Sequence, residues 1–397
     1  MQMTCDDPKN DCSDELLEVV EVEDGPVLFL GEGNFSFSRC LVEKLLSRQP
    51  DLNLAHLTLS CYEQCGQLSL SGESRENDQN QNKEVKNSHE VSRKKENNRK
   101  CRGGPDRKRS FDVEASAAKV ANMCWLTGRG CRVLEGVDGT GLEAEQRLNT
   151  TRFSLIVFLF PHVGGKMKIQ LQRALLLGLL TSARELLARP TGRYLVSLCQ
   201  GQGGTPLEGV AARHPADSWR LVETAHQAGY LLTRATPFPA HRYPAYCPTG
   251  YRGLARPFHL AGAVLYTLQP VEHRDLMQLP ARGAGQGAGL PPSLYPPCYT
   301  HHLSAWLPVS RAGQGDQEVE AWLAGLAGEE LGTCLYSCRL LSRYTSQQER
   351  ESVTLECVFT DPQFPLGPAQ AWRLLLLLGG RLQTRAGVTV RGDTLDL

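Results

Sequence analysis

The sequence has no surplus of charge of either sign, although it is long enough for two or three domains. Its 397 residues carry 43 Lys and Arg against 43 Asp and Glu, and the pI is about 7.1. Proteins that bind nucleic acid through their overall charge are strongly basic. Any nucleic-acid site in this chain must therefore be a local patch.

The chain also has no Cys-x-x-Cys pair, although it contains 14 cysteines. The closest pairs, Cys61 with Cys65 and Cys334 with Cys338, have no second Cys/His pair at zinc-finger spacing. We therefore predict no metal site and interpret the cysteines as free thiols in a reducing compartment.

The sequence also lacks a basic N-terminal segment and an apolar run of membrane-spanning length. The longest apolar runs, at 175–180 and 374–378, are too short to cross a bilayer. Residues 1–24 are rich in Asp and Glu, whereas signal peptides begin with basic residues and mitochondrial presequences are poor in acids. This predicts an intracellular protein, in the cytoplasm or the nucleolus, with no membrane partner.

Aromatic residues are absent between about residues 66 and 110, where Asn, Gln, Ser, Glu, Lys and Arg dominate. Such a stretch cannot bury enough apolar surface to offset its chain entropy, so we predict a disordered insertion. We also predict that the acidic residues 1–24 are disordered. The basic second half of the insertion fits a phosphate-binding arm, a nuclear localisation signal or a solvated linker.

What the sequence does contain is a strand, a glycine turn and a helix near its start. Residues 27–30 are all apolar, Gly31 and Gly33 follow, and apolar residues recur at helical spacing over 35–46. In a parallel α/β sheet, such a turn lets a ligand approach the backbone at the carboxyl end of the first strand. The third glycine of the dinucleotide fingerprint is missing, so a turn without a ligand is the alternative.

Two acids follow later strands of the same predicted sheet. Glu63 follows a strand predicted over 54–60, and Asp138 lies in the turn behind a strand predicted within 130–140. A carboxylate at the end of strand two can hold ribose hydroxyls, and a solvated glutamate is the alternative. Because both acids and the glycine turn fall at one sheet edge, they predict a single ligand site.

The remaining pattern predicts one large α/β domain and a second, smaller domain. Further strands are predicted over 153–160, 194–199, 230–234 and 258–268, and helices over 166–189 and 218–228. After residue 294 the order is strand, helix, two strands, helix, strand, the split βαβ plan. The predicted boundaries are 25–268 for the first domain, 269–293 for a linker and 294–397 for the second domain.

A Pro-rich loop within the first domain mixes aromatic residues with arginines. Its members are Phe238, Tyr243, Tyr246, Tyr251, Arg242, Arg252 and Arg256. This mixture suits base stacking and phosphate pairing, and a loop packed on its own domain is the alternative.

Four motifs of the first domain resemble the uridine-N3 ribosomal-RNA methyltransferase-like family. They are the runs at 31–38, 57–63, 136–140 and 158–165, and the last one is distinctive. The resemblance covers about residues 25–268. It implies a Rossmann-like methyltransferase that binds S-adenosyl-L-methionine and methylates N3 of uridine in rRNA or another structured RNA.

The resemblance also implies roles for individual residues. The backbone at Gly31 and Gly33 would meet the methionine part of the cofactor, Glu63 the ribose hydroxyls and Asp138 the adenine amino group. Pro161 and His162 would shape the base pocket. His162 is the candidate base because imidazole titrates near neutrality, and a histidine that only bonds its own turn is the alternative. The full predicted set is catalytic His162 and Pro161, and cofactor-binding Gly31, Glu32, Gly33, Asn34, Glu63 and Asp138.

The second domain resembles the ferredoxin-fold anticodon-binding domain found at the C-terminus of phenylalanyl-tRNA synthetases. The matching residues are 295–297, 303–307, 340–344, Ser352 and 387–391. This resemblance implies tRNA or RNA binding through shape and phosphate contacts. The expected fold is therefore a Rossmann-like α/β sheet followed by an α+β ferredoxin-like domain.

Leu159 departs from the methyltransferase pattern, which has asparagine at this position. An amide could hold the polar edge of a base, whereas leucine can neither donate nor accept a hydrogen bond. This departure favours a second hypothesis, a catalytically inactive methyltransferase fold that acts as an RNA-binding or tRNA-synthetase-accessory protein. Glu63 replaces the usual aspartate, and Ser342 and His302 stand where the anticodon-binding family has acids.

Overall fold

The computed structural model describes residues 25–64, 105–163, 168–249, 259–271 and 291–391, with backbone alone over 105–114. The acidic start, most of the predicted insertion and most of the linker lie outside these residues. The chain forms two compact units, of which the first comprises 1–139, 164–166 and 239–259 and the second comprises the rest. The domain boundaries drawn from composition stay a prediction.

The described part of the first unit contains three parallel strands and two α-helices. Its elements are β1 (Val27–Leu30), α1 (Ser36–Arg48), β2 (Leu57–Cys61), α2 (Pro105–Thr127) and β3 (Arg132–Glu135). β2 pairs in parallel with β1 on one side and with β3 on the other. Every residue of β1 and β2 is buried, as their apolar sequences predict for strands covered on both faces.

α2 begins inside the stretch that composition assigns to the insertion. Its first residue is Pro105, within the predicted bounds of about 66–110. Proline is favoured in the first turn of a helix, and Arg and Lys have good helix propensity. The extent of the insertion therefore stays a prediction.

The second unit begins with a mixed set of strands. Its elements up to residue 271 are β4 (Leu155–Leu159), α3 (Ile169–Arg184), β5 (Arg193–Leu198), α4 (Leu221–Gln227), β6 (Tyr230–Pro237) and β7 (Val264–Pro270). β4 and β5 are parallel, and β7 lies antiparallel between β5 and β6. β7 begins at Val264 and not at residue 258, because Gly262 adopts a φ of 67° just before it.

The strand order of the seven-stranded sheet is β3-β2-β1-β4-β5-β7-β6. The order reverses after β1, as in doubly wound α/β sheets, in which ligands bind at the carboxyl ends of the strands. This topology confirms the Rossmann-like prediction.

The second unit also contains a four-stranded antiparallel sheet. Its elements are β8 (Tyr299–Trp306), α5 (Asp316–Leu331), β9 (Leu335–Thr345), β10 (Glu351–Phe359), α6 (Pro368–Ala386) and β11 (Thr389–Val390). The strand order β11-β8-β10-β9 is that of a split βαβ fold, which confirms the ferredoxin-like prediction. Leu303, Leu355 and Leu374 are wholly buried in the core on one face of this sheet. The side chains of His302 and Arg339 are exposed on the other face, which we call the open face.

Candidate functional site

The segments that follow β1, β2 and β3 emerge at one edge of the first unit. The Glu32 N–H donates to the Ser60 carbonyl at 2.9 Å, and the Val137 N–H donates to the Cys61 carbonyl at 3.0 Å. Each bond joins a residue two positions beyond the end of β1 or β3 to one of the last two residues of β2. The loop 31–34, Glu63 and Asp138 therefore lie along the same edge, where both Glu63 and Asp138 are exposed.

The glycine turn adopts a conformation that its sequence requires. Gly31 and Gly33 have φ values of 66° and 34°, in the left-handed region that glycine enters without strain. Gly31 is exposed. A Cβ at Gly33 would instead collide with the hydroxyl of Thr249, so the Thr249 side chain covers the Gly33 backbone in this conformation.

Asn34 connects the glycine turn to the segment around Cys247. Its Oδ1 accepts from the Ser36 N–H at 3.0 Å, and its Nδ2 donates to the Cys247 carbonyl at 3.1 Å. The Ser36 hydroxyl also accepts from the Cys247 N–H at 2.9 Å. Asn34 thus satisfies the N–H of the first residue of α1 and fixes the segment around Cys247 over the turn.

Glu32 places a carboxyl group at the start of α1. Its Oε2 accepts from the Ser38 N–H at 3.1 Å. Burial raises the pKa of Glu32 to about 7, against the opposing effect of hydrogen bonding from Ser38. A cation bound beside this group would favour its charged form.

Two polar side chains of α2 connect the three strand ends. The Lys119 ammonium donates to the Glu63 carbonyl at 2.8 Å and lies 3.5 Å from the Glu135 carboxylate. Asn122 donates to the Asn34 carbonyl at 2.9 Å. The two residues lie one turn apart on the same helix face. Sequence reasoning missed them, because a Lys and an Asn three residues apart also suit a solvated face.

Pro161 and His162 lie in a firmly held turn of the second unit. Phe160, with a φ of 55°, donates its N–H to the Ser197 carbonyl at 2.9 Å. On the other side of the turn, the Val163 N–H donates to Oε1 of the buried Gln172 at 3.0 Å. Gln172 also donates from Nε2 to the Val163 carbonyl at 3.3 Å. Gly164 and Gly165 of the same motif lie outside the described residues.

The N–H groups of the glycine-rich loop after β5 are bound by a carboxylate of the same chain. The Glu208 carboxylate accepts from the N–H groups of Gly203, Gly204 and Thr205 at 3.2, 2.7 and 3.0 Å. These are the donors that such a loop offers to a phosphate. Because Glu208 already holds them, this loop is a structural turn and not part of the candidate site.

The aromatic and arginine residues of the Pro-rich loop pack largely on the protein. Tyr243 is 1% exposed, and its ring lies 4.7 Å from that of Phe37. Phe238 is 6% exposed and packs edge-on against Phe160. The stacking hypothesis is therefore wrong for Tyr243 and Phe238. Tyr251, Arg252 and Arg256 lie outside the described residues.

The middle of the chain is similar to a known family. Residues 106–250 match the family model described as "BMT5-like: rRNA (uridine-N3-)-methyltransferase BTM5-like". This match confirms the resemblance for the motifs at 136–140 and 158–165. The matched segment contains Asp138, Pro161 and His162, and it does not extend to Gly31 or Glu63.

Two curated relatives are named after the ferredoxin-fold anticodon-binding domain, which the second domain of this chain resembles. The chain is 37% identical over 154 residues to the ferredoxin-fold anticodon-binding domain-containing protein 1 homolog of Mus musculus, covering 39% of this chain and 24% of the relative. The Homo sapiens protein of that name is 37% identical over 143 residues, covering 36% and 23%. The chain thus matches about a quarter of the length of these relatives.

A solved structure titled as a fibrillarin/Nop5p complex also aligns with the chain. It covers 64% of this chain and 79% of that one, at 8% identity and a TM-score of 0.27. The fold class rests on the strand order and not on this likeness.

The described residues contain no group of three or more His, Cys, Asp or Glu that could hold a metal ion. No helix among them has both the length and the apolar character needed to cross a bilayer.

Proposed function

We propose that this chain binds S-adenosyl-L-methionine at the edge formed by the ends of β1, β2 and β3, and methylates N3 of uridine in a structured RNA. The observation that carries this proposal is the common edge shared by the loop 31–34, Glu63 and Asp138, which are distant in sequence. This edge is where open α/β sheets bind nucleotide-like ligands.

The carboxylates at this edge suit the hydrogen-bond donors and positive charges of the cofactor. Glu63 and Asp138 are exposed carboxylates that can accept from ribose hydroxyls and from the adenine amino group. Glu32 adds a third carboxyl, which the ammonium and sulfonium charges of the cofactor would favour in its ionised form. When bound, S-adenosyl-L-methionine supplies an activated methyl group.

Within this proposal, Pro161 and His162 contact the target base. The bonds from Gln172 on one side and to Ser197 on the other make the turn that carries them rigid, as positioning of a reactive group requires. His162 would accept the N3 proton of uridine. We expect His162→Gln to lose methyl transfer while its affinity for the cofactor stays within about twofold of wild type.

The RNA partner, rRNA or tRNA, would bind the open face of the four-stranded sheet. Trp306 and Tyr344 lie on this face with their ring centroids 6.4 Å apart. Arg350 and Arg391 stack over Trp306 at 4.7 and 5.5 Å from its ring. Aromatic rings with guanidinium groups provide base stacking and phosphate pairing. We propose that this takes place in the cytoplasm or the nucleolus.

Titration calorimetry with S-adenosyl-L-methionine tests the cofactor proposal. We expect binding by the wild-type chain and its loss in the double variant Glu63→Ala/Asp138→Ala. Glu318→Ala, at an exposed acid of α5, is the matched control and should bind as wild type does. A folded wild-type chain that does not bind the cofactor, or a double variant that binds it normally, would overturn the proposal.

Leu159 favours the second candidate function, an RNA-binding or tRNA-synthetase-accessory protein without catalysis. This residue ends β4, is 7% exposed, and cannot hydrogen-bond a base. Nucleoside mass spectrometry of RNA from cells that lack the protein distinguishes the two functions. Loss of 3-methyluridine supports the enzyme, whereas unchanged nucleosides together with retained RNA binding support the second function.

A further inference from the structure

Two cysteines of the four-stranded sheet face each other across neighbouring strands. Cys338 on β9 is the register partner of Cys357 on β10, and their Sγ atoms are 3.8 Å apart. Opposed residues of antiparallel strands have Cα atoms about 4.5–5.5 Å apart, within the range of about 4.4–6.8 Å found for disulfides. Bonding the two sulfurs therefore requires rotation of side chains and no rearrangement of the strands.

The two thiols differ in access to solvent. Cys357 is wholly buried in the core of the sheet, whereas Cys338 at the rim of that core is partly exposed. The hydrogen bond between the sulfurs lowers the pKa of Cys338 and raises the pKa of Cys357, which burial raises further. A small oxidant would therefore react first at Cys338, because the thiolate is the nucleophile.

We propose that Cys338 and Cys357 are a redox modification site, at which a peroxide converts the dithiol into a disulfide that joins β9 to β10. The Cys338 thiolate attacks one oxygen of hydrogen peroxide, the O–O bond breaks, and hydroxide leaves to give the sulfenic acid. The Cys357 sulfur then attacks the Cys338 sulfur. The S–O bond breaks, and the hydroxyl leaves as water with the proton of the Cys357 thiol. A small thiol reductant reverses the modification.

The chain offers a matched control for this pair. Cys334, four residues before Cys338, is also buried, and its thiol donates to the Asp361 carboxylate at 3.2 Å. A reaction that depended only on sequence proximity would join Cys334 to Cys338. The strand register selects Cys357, which is 19 residues away from Cys338.

Peptide mapping of the full chain tests the proposal. The native protein is treated with hydrogen peroxide, its remaining thiols are alkylated, and it is digested with trypsin. Cleavage after Arg311 and Arg339 places Cys334 and Cys338 on one peptide, and the peptide 351–373 carries Cys357. Cys334→Ser is therefore the working background, because it leaves Cys338 as the one thiol of the first peptide.

In this background we expect peptides 312–339 and 351–373 to be joined after peroxide treatment and released by dithiothreitol. Cys338→Ser should abolish the link, and wild-type protein should show the same link. Alkylated Cys338 and Cys357 after treatment, a Cys334–Cys338 link in the wild type, or sulfinic acid on Cys338 without a link would each overturn the proposal. The result in the Cys334→Ser background decides the matter even where Cys338→Ser fails to fold.

Discussion

The side-chain ammonium of Lys119 donates a hydrogen bond to the main-chain carbonyl of Glu63 at 2.8 Å. A helix that follows the long insertion in sequence thus holds the loop after β2. The same ammonium lies 3.5 Å from the carboxylate of Glu135 at the end of β3. Lys119 therefore sets the spacing between two of the three strand ends that form the candidate cofactor site.

Lys119→Met should weaken both the fold and the site. Its side chain is 2% exposed, so the variant leaves the Glu63 carbonyl and the Glu135 carboxylate without their buried partner. We expect a loss of about 1–3 kcal/mol in the free energy of unfolding, measured by urea denaturation. Affinity for S-adenosyl-L-methionine, measured by calorimetry, should fall with it. Lys168→Met at an exposed lysine is the control, and equal values for both variants would contradict the prediction.

Glu32 should make the stability of the chain fall as pH rises toward neutrality. Burial raises its pKa to about 7 in the folded chain, from an ordinary value of 4.5, so the folded state favours the protonated form. The resulting stabilisation is complete below pH 4.5 and is lost as pH rises through 7. We expect a change of about 1–2 kcal/mol, less than the full shift implies because Glu32 is only partly buried.

Urea denaturation at several pH values between 4.5 and 8 measures this change. Glu32→Gln should remove its share of the pH dependence, since the amide does not titrate. Glu318→Gln, at an exposed acid, should keep the wild-type profile. Identical profiles for Glu32→Gln and the wild type would show that Glu32 is not the group responsible.

The parts of the fold that depend on local pattern were predictable from the sequence. The apolar residues 27–30 predicted β1, and the strand–helix order after residue 294 predicted the ferredoxin-like sheet. The glycine turn and the two acids also pointed to one sheet edge, because parallel strands end together.

What the sequence did not reveal depends on partners that are distant along the chain. Asn122 bonds a carbonyl 88 residues away, and no local pattern encodes that choice. The sequence around Tyr243 suits stacking on a base, but its ring instead contacts Phe37, which is distant along the chain. Likewise, no local pattern shows that the Glu208 carboxylate accepts the N–H groups of the glycine-rich loop after β5.

Gly33→Ala should disturb the segment that covers the glycine turn. The added Cβ would collide with the Thr249 hydroxyl, and the φ of 34° is strained for alanine. We expect a loss of about 1–2 kcal/mol in the free energy of unfolding and weaker binding of S-adenosyl-L-methionine. Urea denaturation and calorimetry measure the two effects.

A second substitution separates the collision from the backbone strain. In Gly33→Ala/Thr249→Ala the hydroxyl is gone, and the Cβ of residue 249 lies 3.5 Å from the added methyl, an ordinary contact. We expect partial recovery of stability. Gly141→Ala, which has a φ of −135° and open space around it, is the control and should resemble the wild type. No recovery in the double variant would assign the whole effect to backbone strain.

Leu159→Asn should raise methyl transfer to RNA at the expense of stability. The variant restores the amide expected at the end of β4, where Leu159 is 7% exposed. Burying the amide should cost about 1–3 kcal/mol, and we expect transfer of labelled methyl groups to increase about tenfold or more. Leu159→Ala removes apolar volume without adding an amide. Equal transfer rates for the two variants would show that the amide has no part in the reaction.

Arg350→Gln should weaken RNA binding, because Arg350 stacks 4.7 Å from the Trp306 ring on the open face of the four-stranded sheet. Loss of one phosphate contact should lower affinity at all sequences and reduce the slope of log K against log salt by about 0.7–0.9. Arg311→Gln is the matched control, since Arg311 stacks at 4.5 Å over Trp322, a residue packed against the core. Fluorescence anisotropy with a labelled tRNA at three salt concentrations measures both variants. Equal loss in the two would mean that net charge, and not the open sheet face, determines RNA binding.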